Sequence, residues 1–210
     1  VGSGGREHAI ALKLKENLKV EQIFAAPGNG GMAAFCTPVN IKATDVEGMV
    51  AFAKENGVDF AVVAPDDPLV LGMVGAMEEA GIPSFCPNKA AAIIEGSKVF
   101  SKNLMKKYGI PTAKYETFAS EEEAVAYLKA QNTYPTVVKA DGLALGKGVL
   151  IAKNEQEALD AVHSIMSDKI FGASGNHIVI EEFLEGPEVS VLSFTDGKTL
   201  APMISSKDHK

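Results

Sequence analysis

Residues 137–153, Val-Val-Lys-Ala-Asp-Gly-Leu-Ala-Leu-Gly-Lys-Gly-Val-Leu-Ile-Ala-Lys, set Lys139 in an apolar strand, and Gly142, Gly146, Lys147 and Gly148 in the turn before a second strand. Glycines let backbone N–H groups approach a phosphate chain without Cβ atoms in the way, and a pliable turn can close over a bound nucleotide. Lys139 would add a fixed positive charge from the strand. The spacing is not that of a P-loop, because Gly148 stands where a hydroxyl residue should follow the lysine and a hairpin replaces the strand-to-helix turn. Taken by itself, the turn reads equally well as a surface loop with a solvated lysine.

A second constellation lies downstream. His-Ile-Val-Ile-Glu-Glu-Phe-Leu-Glu-Gly-Pro-Glu, residues 177–188, is an apolar strand running into a short acidic hinge. At the other end of the chain, Gly2-Ser3-Gly4-Gly5 leads directly into a helix, whose N-terminal N–H groups and dipole favour a phosphate. A dinucleotide-binding turn fits poorly there: the third glycine of its fingerprint would fall on Glu7, and the next strand ends at Ala26-Pro27 with no acidic residue for a ribose. Arg6, Glu7 and His8 also read as solvated residues of a helix face, His8 above all.

These residues need elements to position them. Up to about residue 96, helices alternate with buried strands: a helix over 6–17, a strand over 22–26, a helix capped by Thr44, an apolar strand over 60–64 and a single helix over 69–80. That pattern predicts a parallel α/β domain over 1–96. A helical connector follows over 97–117, closed by Gly109 and Pro111. Ser120 with Glu123, and Asn154 with Glu157, signal two helix starts in an α+β unit over 118–186. Val189 to Phe194 and Leu200 to Ile204, joined across Asp196-Gly197, predict a hairpin that opens a further region over 187–210.

Composition limits the function classes. The 210 residues are 46% hydrophobic and 22% charged, ordinary globular usage, and a formal net charge of -7 argues against a general nucleic-acid binder. Cys36 and Cys86 form neither a disulfide framework nor a metal cluster and read as packing thiols in a reducing compartment, the cytoplasm. The sequence has no signal-peptide pattern and no uncharged run of membrane-spanning length. Both ends read as interrupted, so the chain is expected to be a fragment.

Lys98 in Glu-Gly-Ser-Lys, Lys139 in its strand and the 177–188 hinge together resemble the ATP-grasp superfamily. Gly-Ser-Gly-Gly-Arg-Glu-His-Ala at 2–9, Ala-Pro-Gly-Asn-Gly-Gly at 26–31, Pro65-Asp66-Asp67-Pro68-Leu69, Glu-Gly-Ser-Lys at 95–98 and the 139–149 loop are similar, in the same order, to the phosphoribosylamine–glycine ligases. The resemblance implies an N-terminal parallel α/β substrate domain, an ATP-grasp lid and the start of a second ATP-grasp subdomain. It also implies an ATP-dependent ligase of purine biosynthesis that joins glycine to 5-phosphoribosylamine through glycyl phosphate, with magnesium or manganese.

By the same resemblance Lys98, Lys139 and Lys147 act on the phosphates under the Gly142, Gly146 and Gly148 lid. Glu181, Glu182, Phe183 and Leu184 meet adenine, through the Glu182 carbonyl and the Leu184 N–H, and Glu188 holds the ribose. Gly4, Gly5, Arg6, Gly28, Asn29, Asp66 and Asp208 hold substrate. Metal ligands are expected beyond residue 210, so this stretch alone is expected to be inactive. Two departures stand out: Asp66 replaces a family glutamate, and Cys86 replaces a family glycine. Another ATP-grasp carboxylate–amine ligase, or a nucleotide-binding module without catalysis, remains an alternative. Nucleic acid and membrane are not expected partners, and the sequence is silent on oligomeric state.

Overall fold

The computed structural model describes residues 1–144 and 147–207. The N-terminal unit runs α1 (Gly5–Lys15), β1 (Phe24–Ala25), β2 (Thr37–Pro38), α2 (Val46–Glu55), β3 (Ala61–Val62), α3 (Asp66–Leu71), α4 (Met73–Glu79), β4 (Ser84–Phe85) and α5 (Lys89–Gly96). Both strand pairs, β1 with β2 and β3 with β4, are parallel. Val1 and Gly2 lie between them: the Val1 amino group donates to the Val62 carbonyl at 2.7 Å, and Gly2 forms a parallel bridge with Pro27. The carboxyl ends of β1 and β3 therefore meet beside the first loop. Met49, Ala53, Val63, Leu69, Met73, Val74 and Met77 form the core of this unit.

The predicted strands are present but shorter, since 22–26 contracts to Phe24–Ala25 and 60–64 to Ala61–Val62, with Phe60 54% exposed. The helix expected over 69–80 is two helices. Gly72 sits between them at φ +97, a left-handed conformation that closes α3 as a glycine cap does. The cap of α2 is Asp45 rather than Thr44: its carboxylate accepts from the Gly48 N–H at 2.9 Å.

Cys86 has φ +118, in the region that favours glycine. A side chain there is strained, and burial holds its thiol above the usual cysteine range. Cys86→Gly is therefore expected to stabilise the chain by about 1 kcal/mol, read as a higher urea midpoint at unchanged slope. A lower midpoint would show that packing of the thiol outweighs the backbone strain.

The second unit begins with α6 (Lys98–Tyr108), capped by Ser97, whose hydroxyl accepts from the Phe100 N–H, and ended by Gly109 at φ +64. β5 (Tyr115–Phe118), α7 (Glu121–Gln131), β6 (Thr136–Ala140), β7 (Val149–Ala152), α8 (Glu155–Met166) and β8 (Ile178–Glu182) follow. They build an antiparallel sheet ordered β5-β8-β6-β7. β5, part of a stretch read as connector, is thus a strand of this sheet. Ser120 and Asn154 cap α7 and α8 as their sequence signals predict.

Register divides the sheet into two faces. Val138, Ala140, Ala152, Ile178 and Ile180 pack with Ala124, Leu128, Val162 and Ile165 of α7 and α8. Strand alternation turns Val137, Lys139, Val149, Ile151, Val179 and Glu181 to the opposite face. The last region pairs β9 (Val189–Ser190) with β12 (Ser206–Lys207) and β10 (Ser193–Thr195) with β11 (Leu200–Pro202), so the predicted hairpin forms as an inner ladder with a second outside it. Among the described residues, no helix is long and apolar enough to cross a membrane.

Candidate active site

The sheet face away from α7 and α8 gathers the charged residues. Lys139 on β6 forms an ion pair with Glu181 on β8, across adjacent strands. Lys102, one turn along α6 from Lys98, approaches the other Glu181 oxygen, Oε2, at 2.5 Å. That approach falls outside hydrogen-bonding angles, so it is an ion pair without a directed hydrogen bond. Glu181 is 6% exposed and its carboxylate is shared between two ammonium groups. The Thr136 hydroxyl donates to the Glu181 carbonyl at 3.1 Å, which fixes the strand at this point.

Lys98, the first residue of α6, points its ammonium at the Gly142 carbonyl, 2.5 Å away. Burial lowers the pKa of Lys98, Asp141 and Glu95 raise it, and Lys139 lowers it further. Asp141 ties the helix to the loop. Its carboxylate accepts from the Ser97 hydroxyl and from the Val99 N–H at 3.1 Å, a negative charge at a helix N-terminus. Gly142 has φ +90, so the turn there is one that glycine takes at least cost.

The hairpin that carries the loop is pinned by the Ala140 N–H donating to the Gly148 carbonyl at 2.8 Å, and a Cβ on Gly148 would come within 2.7 Å of the Ala144 Cβ. Lys147 is exposed, its N–H bonded to the Ala144 carbonyl. Gly146 and Asp208 lie outside the described residues. Next to the lysines, Val149 and Ile151 are 41% and 53% exposed and form an apolar shelf beside buried Val137 and Val179. Phosphate charge and a flat apolar ring could both be met on this one face.

At the end of β8, the Glu182 N–H donates to the Lys114 carbonyl and its carboxylate accepts from the Lys114 N–H at 3.0 Å, so both groups already hold β5. Phe183 is half-buried, Leu184 is exposed, and Glu188 lies in the irregular segment before β9. A cavity of about 980 Å³ behind this hinge is lined by Lys114, Tyr127, Tyr134 and Phe183. A smaller one, about 530 Å³, lies between α1, β1 and β3 against Ile10, Ala11 and Leu14, away from the lysines. Glu181 and the hinge after it line the larger cavity, whereas Lys98, Lys139, Val149 and Ile151 lie outside both.

The N-terminal loops meet at a second place. A Cβ on Gly2 would fall 2.9 Å from the Pro65 side chain, so the first loop and the turn leading to Asp66 are in contact. Gly28, at φ +72, donates to the Gly2 carbonyl at 3.0 Å. Asn29 is a tie between loops: its amide donates to the Ser3 carbonyl and its oxygen accepts from the Met32 N–H. Both polar ends of Asn29 are thereby engaged within the protein. The Gly4 N–H is also taken, by the Glu7 carboxylate at 2.5 Å, leaving Gly5 and exposed Arg6 at the start of α1. His8 is not a solvated helix-face residue; its ring lies 5.5 Å from Phe35. Asp66 is the half-buried first residue of α3, and its carboxylate makes no hydrogen bond or ion pair among the described residues.

Sequence reasoning did not single out Lys102 or Asp141. Lys102 stands four residues after Lys98, the spacing that puts two side chains on one helix face, and that spacing was the available signal. Asp141 offered none, because its partners Ser97 and Val99 come from another element.

Comparison with known proteins places the chain in a family. Residues 1–95 match the N domain, and residues 96–210 the ATP-grasp (A) domain, of phosphoribosylglycinamide synthetase. The chain is 49% identical over its full length to a phosphoribosylamine–glycine ligase of Rhodopirellula baltica and 50% identical to that of Clostridium acetobutylicum. It spans about half the length of these curated relatives, 49% and 50%. The crystal structure of phosphoribosylamine–glycine ligase from Thermotoga maritima superposes with a TM-score of 0.79 at 29% identity, over 97% of this chain and 48% of that one. A biotin carboxylase from Campylobacter jejuni shares the fold, with a TM-score of 0.73 at 16% identity over 96% of this chain and 48% of that one. With its length divided between a matched N domain and a matched ATP-grasp domain, the chain belongs to the phosphoribosylglycinamide synthetase family.

Proposed function

We propose that this chain is the nucleotide-binding and phosphoribosylamine-binding portion of an ATP-dependent ligase that makes glycinamide ribonucleotide. In that reaction the carboxylate of glycine takes the terminal phosphoryl group of ATP. The amine of 5-phosphoribosylamine then attacks the acyl carbon and phosphate departs. The observation that carries the reading is the convergence of Lys98, Lys139 and the Gly142 turn at one end of an open, partly apolar sheet face.

Each residue has a physical task in this scheme. Lys139 and Lys98 neutralise charge on the transferring phosphoryl group, the electrostatic contribution that dominates such reactions. Val149 and Ile151 supply an apolar surface for the purine ring. The Gly142 to Gly148 loop excludes water from an acyl phosphate that would otherwise hydrolyse. Magnesium, when bound, would screen the phosphates. Among the described residues no three His, Cys, Asp or Glu side chains are grouped to hold it.

The test is ATP hydrolysis by the full-length protein. Turnover that requires both glycine and phosphoribosylamine is expected. Turnover with a different carboxylate or amine, and none with this pair, would reassign the chain to another carboxylate–amine ligase.

Asp66 is the residue proposed to recognise the sugar. It begins α3 at the carboxyl end of β3, beside the Gly2 to Gly5 loop, where open parallel sheets place ligands. Asp66→Ala is expected to raise the KM for phosphoribosylamine about 10- to 150-fold, the loss of one charged hydrogen bond, while the KM for ATP and glycine hold. Equal damage to all three substrates, with a lower Tm, would instead assign Asp66 to the start of the helix.

A further inference from the structure

We infer that Lys102 is a positioning residue that allows Lys139 to leave Glu181 for the phosphates of a nucleotide. The inference rests on the nucleotide reading of the open sheet face. Lys139 cannot serve two anions fully at once, and in this structure its partner is the buried Glu181 carboxylate. A phosphate that draws Lys139 away would leave that carboxylate uncompensated in a place with little water, a severe cost.

Lys102 removes the cost. Its side chain is 13% exposed, its ammonium lies 2.5 Å from Glu181 Oε2, and that oxygen has no hydrogen-bond donor among the described residues. Two further contacts hold it there: Lys102 donates to the Thr112 hydroxyl at 2.7 Å and lies 5.4 Å from the centre of the Tyr115 ring. Glu181 keeps this counter-ion whether Lys139 is turned toward it or toward phosphate. Lys102 touches no phosphate in this account; it acts through Glu181.

The test uses the full-length protein, with ATP and adenosine as probes in equilibrium titration, and the variants K102M and K102M/E181Q. Methionine keeps the apolar stem and removes the charge, so Lys139 becomes the sole counter-ion of Glu181. K102M is expected to weaken ATP binding about 10- to 100-fold and adenosine binding far less, since adenosine makes no demand on Lys139. The double variant removes the anion that detains Lys139 and is expected to return ATP affinity to within a few-fold of wild type. Failure of the full-length wild-type protein to bind ATP overturns the nucleotide reading and this inference with it. Wild-type binding that K102M leaves intact, equal loss of ATP and adenosine, or a double variant as weak as K102M, overturns the role of Lys102 alone.

Discussion

Replacing Lys139 with alanine in the full-length protein is expected to lower kcat/KM by about 100-fold or more, the loss typical of a single preorganised group that stabilises transition-state charge. The expectation follows from its place. Lys139 lies on a central strand of the sheet, on the face away from the helices, and its side chain keeps 25% exposure toward the proposed nucleotide. Stability should change little, because Glu181 retains Lys102 as a counter-ion when Lys139 is gone. Lys147→Ala should cost less, since Lys147 is exposed on the loop. Steady-state kinetics alongside thermal melting separate the two roles. Activity that disappears only in step with folded protein would mark Lys139 as a structural lysine.

Replacing Glu181 with alanine is expected to damage the fold itself. Two ammonium groups would then face each other beside the sheet with no carboxylate between them. Removing one partner of a buried ion pair costs about 3–5 kcal/mol, and the lower end applies because the two lysines keep 13% and 25% exposure. About 3 kcal/mol corresponds to a Tm lower by roughly 6–12 °C for a chain of this size. Glu181→Gln should be milder, because the amide oxygen still accepts from a lysine. Chemical denaturation of both variants checks this. A cost for alanine below about 1 kcal/mol would mean that water already compensates the lysines and that the carboxylate is not essential to the packing.

Much of the local structure was legible in the chain because its causes are local. Ser120 and Asn154 cap the helices that their positions announce, because a cap needs only its own side chain and the N–H groups within the next turn. The strands on either side of the glycine-rich turn follow in the same way from alternation and spacing. Gly72 was less legible. An apolar stretch on both sides of a glycine is compatible with one helix or two, and the left-handed cap is chosen by how the halves pack.

The charged centre was decided by tertiary structure. The sequence singled out Lys98 and Lys139 as candidate phosphate contacts, but not Lys102. The Lys102–Glu181–Lys139 group joins α6, β8 and β6, and it exists because the β6–β8 register sets Glu181 opposite Val137, two residues from Lys139 on the same face, while α6 packs over that face. Likewise Asn29 and the Gly4 N–H, readable as substrate contacts, are already engaged with Ser3, Met32 and Glu7. Residue types and their spacing determined which groups could carry charge to a phosphate. Only the folded chain, through strand register and the burial that makes an unpaired charge costly, decided which of them hold one another and which are left to face a ligand.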